Sequence, residues 1–268
     1  MENILKIESL QNPRVKSALK LRKSKIRKET KTMLVEGHRE VFRAVESNWQ
    51  FIELYFCPEL YINPDTEYLI SKIIERGIPA FLCTEKVFRK MSYRENPDGI
   101  MMLSSLVGKT LDELILPENP LLLIAEGLEK PGNLGTILRT ADAAGVDAVI
   151  ACDHKTDLSN PNVIRASIGT LFYIPVAEAS TEEITQWLKK KGIQSLAAVP
   201  GASAEYTSVD MQSGTAIVVG AEDEGLSDCW KTYADQQVSI PMLGRNDSLN
   251  VSTAAAILLY EALRQRRI

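Results

Sequence analysis

From Leu121 to the end of the chain, short apolar runs alternate with helix-length amphipathic stretches, and this rhythm limits the fold more than any other feature. Strands are expected at Leu121–Ala125, Ala148–Ala151, Tyr173–Val176, Gln194–Val199, Ala216–Gly220 and Val238–Ile240. Helices fit Asn133–Ala144, Asn162–Thr170, Glu182–Lys191 and Ser248–Arg264. Strands that alternate with helices imply a parallel sheet, and ligands of such sheets bind beyond the strands' carboxyl ends.

A smaller α/β region precedes this block. Its strands are expected at Met33–Val35, Phe51–Phe56, Ala80–Cys83 and Gly99–Leu106, and its helices at His38–Glu46, Thr66–Arg76 and Glu85–Met91. Between the two, Pro117-Glu118-Asn119-Pro120 breaks regular structure. A chain of 268 residues suits two domains. The expected division is 1–107, a linker at 108–119, and 120–268.

Net charge is −4, but it is unevenly spread. Residues 1–45 carry 12 Lys and Arg against 5 Asp and Glu, an excess of +7, and the remainder carries −11. Much of the excess lies in one expected basic helix, with Asn12 as its cap, Pro13 at its first position and Val15, Ala18 and Leu19 at helical spacing. Arg14, Lys16, Lys20, Arg22, Lys23, Lys25, Arg27, Lys28 and Lys31 follow one another there, offset only by Glu29. An anion-binding face confined to one end of the chain explains this asymmetry.

Other patterns exclude whole classes. No apolar run reaches the ~18–20 residues that cross a bilayer. The opening stretch Met1-Glu2-Asn3-Ile4-Leu5-Lys6 lacks the layout of a signal peptide. Cys57, Cys83, Cys152 and Cys229 lie far apart, without CxxC pairs or neighbouring histidines. Neither a metal site nor a disulfide framework is expected, and a cytoplasmic protein with reduced thiols is. Gly127, Gly132 and Gly135 do not have the GxGxxG spacing. Gly108-Lys109-Thr110 has Leu103 where a P-loop needs its first glycine, and Gly201-Ala202-Ser203-Ala204-Glu205 fails as a nucleophile elbow at its last position. Two histidines leave little room for imidazole catalysis.

Three loops of the second region carry more polar and conformationally special residues than folding needs. In the first, Glu126-Gly127-Leu128-Glu129-Lys130-Pro131-Gly132-Asn133-Leu134-Gly135 turns a strand into a helix that contains Arg139. Free N–H groups at such a helix start suit a phosphate or a ribose. The plainer reading makes Asn133 a helix cap and pairs Arg139 with Asp142. In the second, a buried strand ends at Gly220, where backbone can approach a ligand, and Glu222 follows in the loop. Here the plainer reading is an acidic turn. In the third, Ile240-Pro241-Met242-Leu243-Gly244-Arg245-Asn246-Asp247-Ser248-Leu249-Asn250 leads into an apolar helix, for which Ser248 is the plain choice of cap.

Taken together, PGNLGTILRTADAAG, IVVGAEDEGL and IPMLGRNDSLNVSTAAAILLYEALRQ resemble, in order, the three signature motifs of the SpoU family of RNA ribose 2′-O-methyltransferases, within the SPOUT superfamily. The resemblance spans roughly residues 120–266, and LVEGHREVFRAVE resembles the small ribosomal-protein-like RNA-binding domain often attached to this family. It implies an α/β protein with a C-terminal parallel sheet knotted as a trefoil, preceded by a small α/β RNA-binding domain. It also implies a homodimer that needs neither membrane nor metal, takes S-adenosylmethionine as cofactor and acts on ribosomal RNA, with transfer RNA the alternative. A non-catalytic RNA-binding protein and a base-methylating relative are the competing readings.

By the same resemblance, Gly220, Ile240, Met242 and Leu249 contact the cofactor. Asn133, Arg139, Glu222, Ser248 and Asn250 match the catalytic pocket, and Arg165 matches a position linked to RNA contact. Arg14, Lys16, Arg22, Lys23, Lys25 and Arg27 are expected to hold RNA phosphates. Two departures stand out: Lys130 replaces an aspartate common before Pro-Gly-Asn, and Ala197-Ala198 replaces a frequent hydroxyl residue. The family proposal makes Arg139 a base, which simple chemistry resists because a guanidinium stays protonated. Binding of the adjacent phosphate and stabilisation of the developing alkoxide fit Arg139 better.

Overall fold

The computed structural model describes residues 4–267; Met1–Asn3 of the opening stretch and Ile268 lie outside the described residues. The chain divides into two compact units, Met1–Val107 with Leu158–Tyr173, and Gly108–Asp157 with Ile174–Ile268.

The first unit is built on a five-stranded mixed sheet. Its elements are β1 (Leu5–Ile7), α1 (Pro13–Lys20), α2 (Ser24–Thr30), β2 (Thr32–Glu36), α3 (His38–Glu46), β3 (Phe51–Phe56), α4 (Thr66–Glu75), β4 (Ala80–Cys83), α5 (Glu85–Met91) and β5 (Ile100–Ser105). The strand order is β1-β4-β3-β5-β2. β4 runs parallel to its neighbours, whereas β5 is antiparallel to β3 and β2. Ile7, Val15, Ala18, Tyr55, Phe81, Val87, Phe88 and Met101 form a core between one sheet face and helices α1 and α5.

The expected single basic helix is instead two. The Asn12 side chain caps α1 by accepting from Arg14 N, and the helix stops at Leu21 before α2 begins. Lys31 closes α2 in the left-handed region, with φ of 53°. Arg27 bridges the break. Its side chain is only 3% exposed, and Nη1 donates to the carbonyls of Leu21 (2.7 Å) and Arg22 (3.2 Å), fastening α2 to the end of α1.

The segment Leu158–Tyr173 belongs with this unit, not with the 120–268 block. Arg43 Nη1 donates to the carbonyl of Ile168 at 2.9 Å, and the Trp49 and Phe172 rings lie 5.4 Å apart. Its helix, Pro161–Ala166, is shorter than the expected Asn162–Thr170 because Ile168 and Gly169 both take positive φ. Thr170–Phe172 then form a 3₁₀ turn, so the strand expected at Tyr173–Val176 starts only at Val176, where pairing begins.

The second unit holds β6 (Leu121–Glu126), α6 (Pro131–Ala143), β7 (Ala148–Cys152), β8 (Val176–Ala179), α8 (Thr181–Lys191) and β9 (Gln194–Ala198). It continues through β10 (Ala204–Glu205), β11 (Thr215–Val219), α9 (Asp228–Tyr233), β12 (Gln236–Ser239) and α10 (Val251–Arg266); α7 is the Pro161–Ala166 helix already described. The sheet is parallel throughout, in the order β10-β12-β9-β11-β6-β7-β8. Every residue of β6, β7 and β11 is buried, as a parallel sheet with helices on both faces requires. Leu122, Ile124, Ile150, Ala216 and Val218 pack against Ile184, Trp187 and Leu188 of α8 and Trp230 of α9. Helix α10 lies against β11 and α6. The chain runs outward from β6 to β7 and β8, then resumes on the other side at β9. This switch point, beside the carboxyl ends of β6 and β11, is where ligands of open parallel sheets bind. Among the described residues, no helix is long and apolar enough to cross a membrane.

Candidate active site

At the carboxyl ends of β9, β11 and β12 a cleft opens, with about 670 Å³ of empty space including its mouth. Val219, Gly220, Val238, Ile240, Met242, Leu249, Val251 and Ala254 line it, with Ala198, Val199 and Pro200 on another wall. The wall is mainly aliphatic and backbone, while Glu222, Asp247 and Ser248 bring polar atoms to it. Its few polar groups on a mainly aliphatic wall suit a small-molecule cofactor.

Gly220 is fixed by the fold as well as by the cleft. A Cβ there would meet the carbonyl carbon and oxygen of Gly225 at 2.4 Å. The loop after β11 folds back through the Ala221–Gly225 bridge and passes over Gly220. What approaches closely is therefore this chain's own backbone, and Gly220 also borders the cleft.

The same return of the loop places Glu222 beside the starts of two helices. Asn133, third residue of α6, donates from Nδ2 to Glu222 Oε1 at 2.8 Å. Asn250, at the start of α10, donates from Nδ2 to the same Oε1 and to Asn133 Oδ1, the latter at 3.3 Å. Lys130, just before α6, donates from Nζ to Glu222 Oε2. Three segments of chain thus meet on one carboxylate. The Lys130 ammonium, followed by the Asn133 amide, holds the Glu222 carboxyl below its ordinary range, and the same ion pair raises Lys130. The positive ends of α6 and α10 favour the same ionised form.

Asn250 also caps α10, its Oδ1 accepting from Ser252 N at 3.0 Å. The cap is therefore Asn250 and not Ser248, and the helix starts at Val251. Capping consumes Asn250 Oδ1 and so turns its NH₂ toward Glu222. Ser248 is exposed and borders the cleft without a hydrogen bond to the cluster. Nor is Asn133 a cap, because Lys130 occupies the cap position and Asn133 sits inside the first turn.

Arg139 stands apart. It is exposed on α6, and among the described residues it makes no hydrogen bond or ion pair, with Asp142 or any other group. Six residues beyond Asn133, it lies about 9 Å along the helix and about 120° around it. Its guanidinium is therefore open to an incoming anion.

Glu126, at the end of β6, was not singled out in the sequence, although a carboxylate closing an apolar run is a visible signal. It is buried and accepts from Thr181 Oγ1 at 2.8 Å, from Ser227 N at 2.8 Å and from Ser227 Oγ at 2.7 Å. The network ties β6 to the starts of α8 and α9. Cys152 and Asp153 lie close enough to form a cation site with Glu126, and Asp153 accepts from Thr181 N.

In the first unit, Lys16 and Lys23 are exposed and Lys25 is 3.8 Å from Glu29. Arg14 is exposed, held by Glu53 and Phe81. Arg22 has both described bonds from Nη2, to the carbonyls of Lys90 (3.1 Å) and Ser92 (2.8 Å). Arg27, buried as described above, does not offer a phosphate contact, which corrects that expectation. Arg165 is exposed near the end of α7, in the segment that packs with this unit.

Comparison with known proteins finds two family matches. Residues 120–260 match the model of the SpoU rRNA methylase family, and residues 12–102 that of the MRM3-like substrate binding domain. The 23S rRNA (guanosine(2553)-2′-O)-methyltransferase RlmP of Bacillus subtilis is 32% identical over 95% of this chain and 97% of its own length. A solved RNA 2′-O ribose methyltransferase is 40% identical over 98% of this chain and all of that one, with a TM-score of 0.84. The AdoMet-bound rRNA methyltransferase from Sinorhizobium meliloti is 32% identical, covers 97% of this chain and 98% of that one, and superposes with a TM-score of 0.89.

Proposed function

The chain belongs to the SpoU rRNA methylase family, and from that premise we propose that it methylates a ribose 2′-hydroxyl of ribosomal RNA, using S-adenosylmethionine held in the cleft above β11. The observation that carries the placement is the meeting of Asn133, Glu222 and Asn250 beside a largely apolar cleft.

In this reading Ile240, Met242, Leu249 and the Gly220 peptide hold the cofactor, with Ser248 at the rim. S-adenosylmethionine supplies a methyl group on a sulfonium whose departure leaves a neutral thioether. Glu222, ionised and fully engaged, is a poor base; its task is to fix the two asparagine amides and the loops that carry them. Asn250 holds the cluster together, and Asn133, with one amide hydrogen uncommitted among the described residues, is the donor suited to orienting a ribose. Arg139, charged and unengaged, grips the neighbouring phosphate and stabilises the developing alkoxide. Lys16, Lys23 and Lys25, with Arg165, supply phosphate contacts that position the RNA.

We extend the proposal to a homodimer in the cytoplasm, whose 240–250 loop and α10 follow the knotted path that the family resemblance implies. Tyr260, half exposed, and Leu243, almost fully exposed, are the apolar surface that a second copy would cover. Light scattering of a fully active monomer at micromolar concentration would contradict the dimer.

The test of the function is incubation of ribosomal RNA with methyl-tritiated S-adenosylmethionine, followed by alkaline hydrolysis and nucleoside analysis. Label in an alkali-resistant dinucleotide is the expected result. Label on a base, or none despite cofactor binding, overturns the reading; label only when transfer RNA is offered reassigns the substrate.

A further inference from the structure

A second concavity lies within the first unit, away from the elements used above. It is an open groove of about 500 Å³ between helices α1 and α2 and the face of strands β2, β5 and β3. Strand register explains it. Leu34 pairs with Leu103, and Leu103 with Glu53, so these three side chains form one row across the sheet. The row is only half-buried, because α1 ends at Lys20 and the chain turns at Leu21–Lys23 before α2 begins. Apolar surface at Leu34, Leu103 and Ile26 is left as the floor of a groove.

One wall of this groove is built with unusual rigidity. The Arg14 guanidinium sits 4.4 Å from the centroid of the Phe81 ring, which stacks in turn on Tyr55 at 5.5 Å. Arg14 Nε donates to Glu53 Oε1 at 3.2 Å, while the Tyr55 hydroxyl donates to Glu53 Oε2. The guanidinium plane is thus fixed at one edge and on one face. Neither Nη1 nor Nη2 is engaged among the described residues, and the side chain is 46% exposed. Lys20 adds a second positive charge on the rim; Glu29, the other acid there, lies 3.8 Å from Lys25. The surroundings are strongly positive, with nine Lys and Arg between residues 14 and 31.

An apolar floor, a flat cation with free N–H groups and a basic rim are the features that receive an unstacked nucleotide. We propose that this groove binds one unpaired nucleotide of the RNA substrate. Its base lies on the Leu34–Leu103 floor beside the Arg14 plane, and its phosphate takes Arg14 Nη1 and Nη2 with Lys20. The inference rests on the reading that the chain acts on RNA. It separates Arg14, pre-arranged for a ligand, from Arg22 and Arg27, whose guanidinia hold the fold together.

The test uses the full chain with a fluorescent single-stranded oligoribonucleotide and the duplex it forms with its complement, at one salt concentration. Ser17, exposed on α1 and lining the groove, is replaced by Trp, which fills the space and leaves every charge in place. The wild type should prefer the single strand. Ser17→Trp should weaken single-strand binding by about 10-fold, the scale of one lost stacking contact, and leave duplex binding and its salt dependence unchanged. Arg14→Lys, which keeps the charge and loses the plane, should weaken the same preference in part. Thermal melts and circular dichroism confirm that each variant folds. Wild-type single-strand affinity in both variants, or no preference in the wild type, overturns the proposal. Ribosomal RNA methylation by the wild type, measured alongside, reports separately on the function from which the inference starts.

Discussion

Around Glu222, Lys130, Asn133 and Asn250 arrive from distant parts of the chain and bond to one carboxylate. Along α1 and α2 the opposite happens: charges adjacent in sequence disperse, Arg27 into the interior, Arg22 onto the carbonyls of Lys90 and Ser92, and the lysines into solvent. The first region is specified by loops at strand ends and by helix starts, where few residue types satisfy the backbone. The second is specified only in its sum of charge, and a sum does not say which cations are free.

The comparison makes its largest demand at Gly220. Gly220→Val drives a side chain into the Gly225 peptide, which sits 2.4 Å from where even a Cβ would lie. Unfolding stability should fall by about 3 kcal/mol, the upper range for overpacking, and calorimetric titration should show no cofactor binding. Normal cofactor affinity in this variant would mean that the loop is softer than its geometry implies.

In the basic region the prediction splits by residue. Arg27→Ala strands the buried carbonyl of Leu21 and should cost about 2 kcal/mol of stability in chemical denaturation, with the salt dependence of RNA binding intact. Replacing Lys16, Lys23 and Lys25 together by Ala should do the reverse. Stability stays within about 0.5 kcal/mol, while the slope of log affinity against log salt flattens by about one unit for each lost phosphate contact. If Arg27→Ala flattens the slope as the lysines do, the division between structural and functional cations is wrong.

The smallest effect concerns Lys130. Because Glu222 titrates below its ordinary range, the carboxylate's stabilisation of the cluster is present above that range and is lost as pH falls through the lowered value. Lys130→Met removes the leading cause of the lowering, so cofactor affinity should begin to fall at a higher pH than in the wild type. An unchanged acid limb would show that the asparagines alone set the behaviour of Glu222. The ion pair is exposed at its lysine end, so salt should erode the difference.

How far the sequence could be read follows the same division. Phe51–Phe56, His38–Glu46 and Glu85–Met91 form the expected elements, because their patterning and end signals agree with burial. The strand placed at Tyr173–Val176 moved to Val176–Ala179 because Leu171 and Phe172 are equally apolar but are buried with the first unit. Periodicity does not tell which core a hydrophobic run will join. At the site, Glu222, Asn133 and Asn250 were legible through the motifs that carry them, whereas the partnership of Lys130 with Glu222 was not: it joins residues 92 positions apart. Arg27 reads in sequence like any of its basic neighbours, and only the turn between α1 and α2 turns it inward.

We propose that Arg139 acts on the reaction and not on the cofactor. Single-turnover methylation of ribosomal RNA by Arg139→Ala, with calorimetric titration of S-adenosylhomocysteine into the same preparation, tests this directly. The rate should fall by about 100-fold or more, the scale of losing an oxyanion-stabilising donor, while cofactor affinity stays near the wild-type value. A wild-type rate, or loss of cofactor binding with the fold intact, would contradict it.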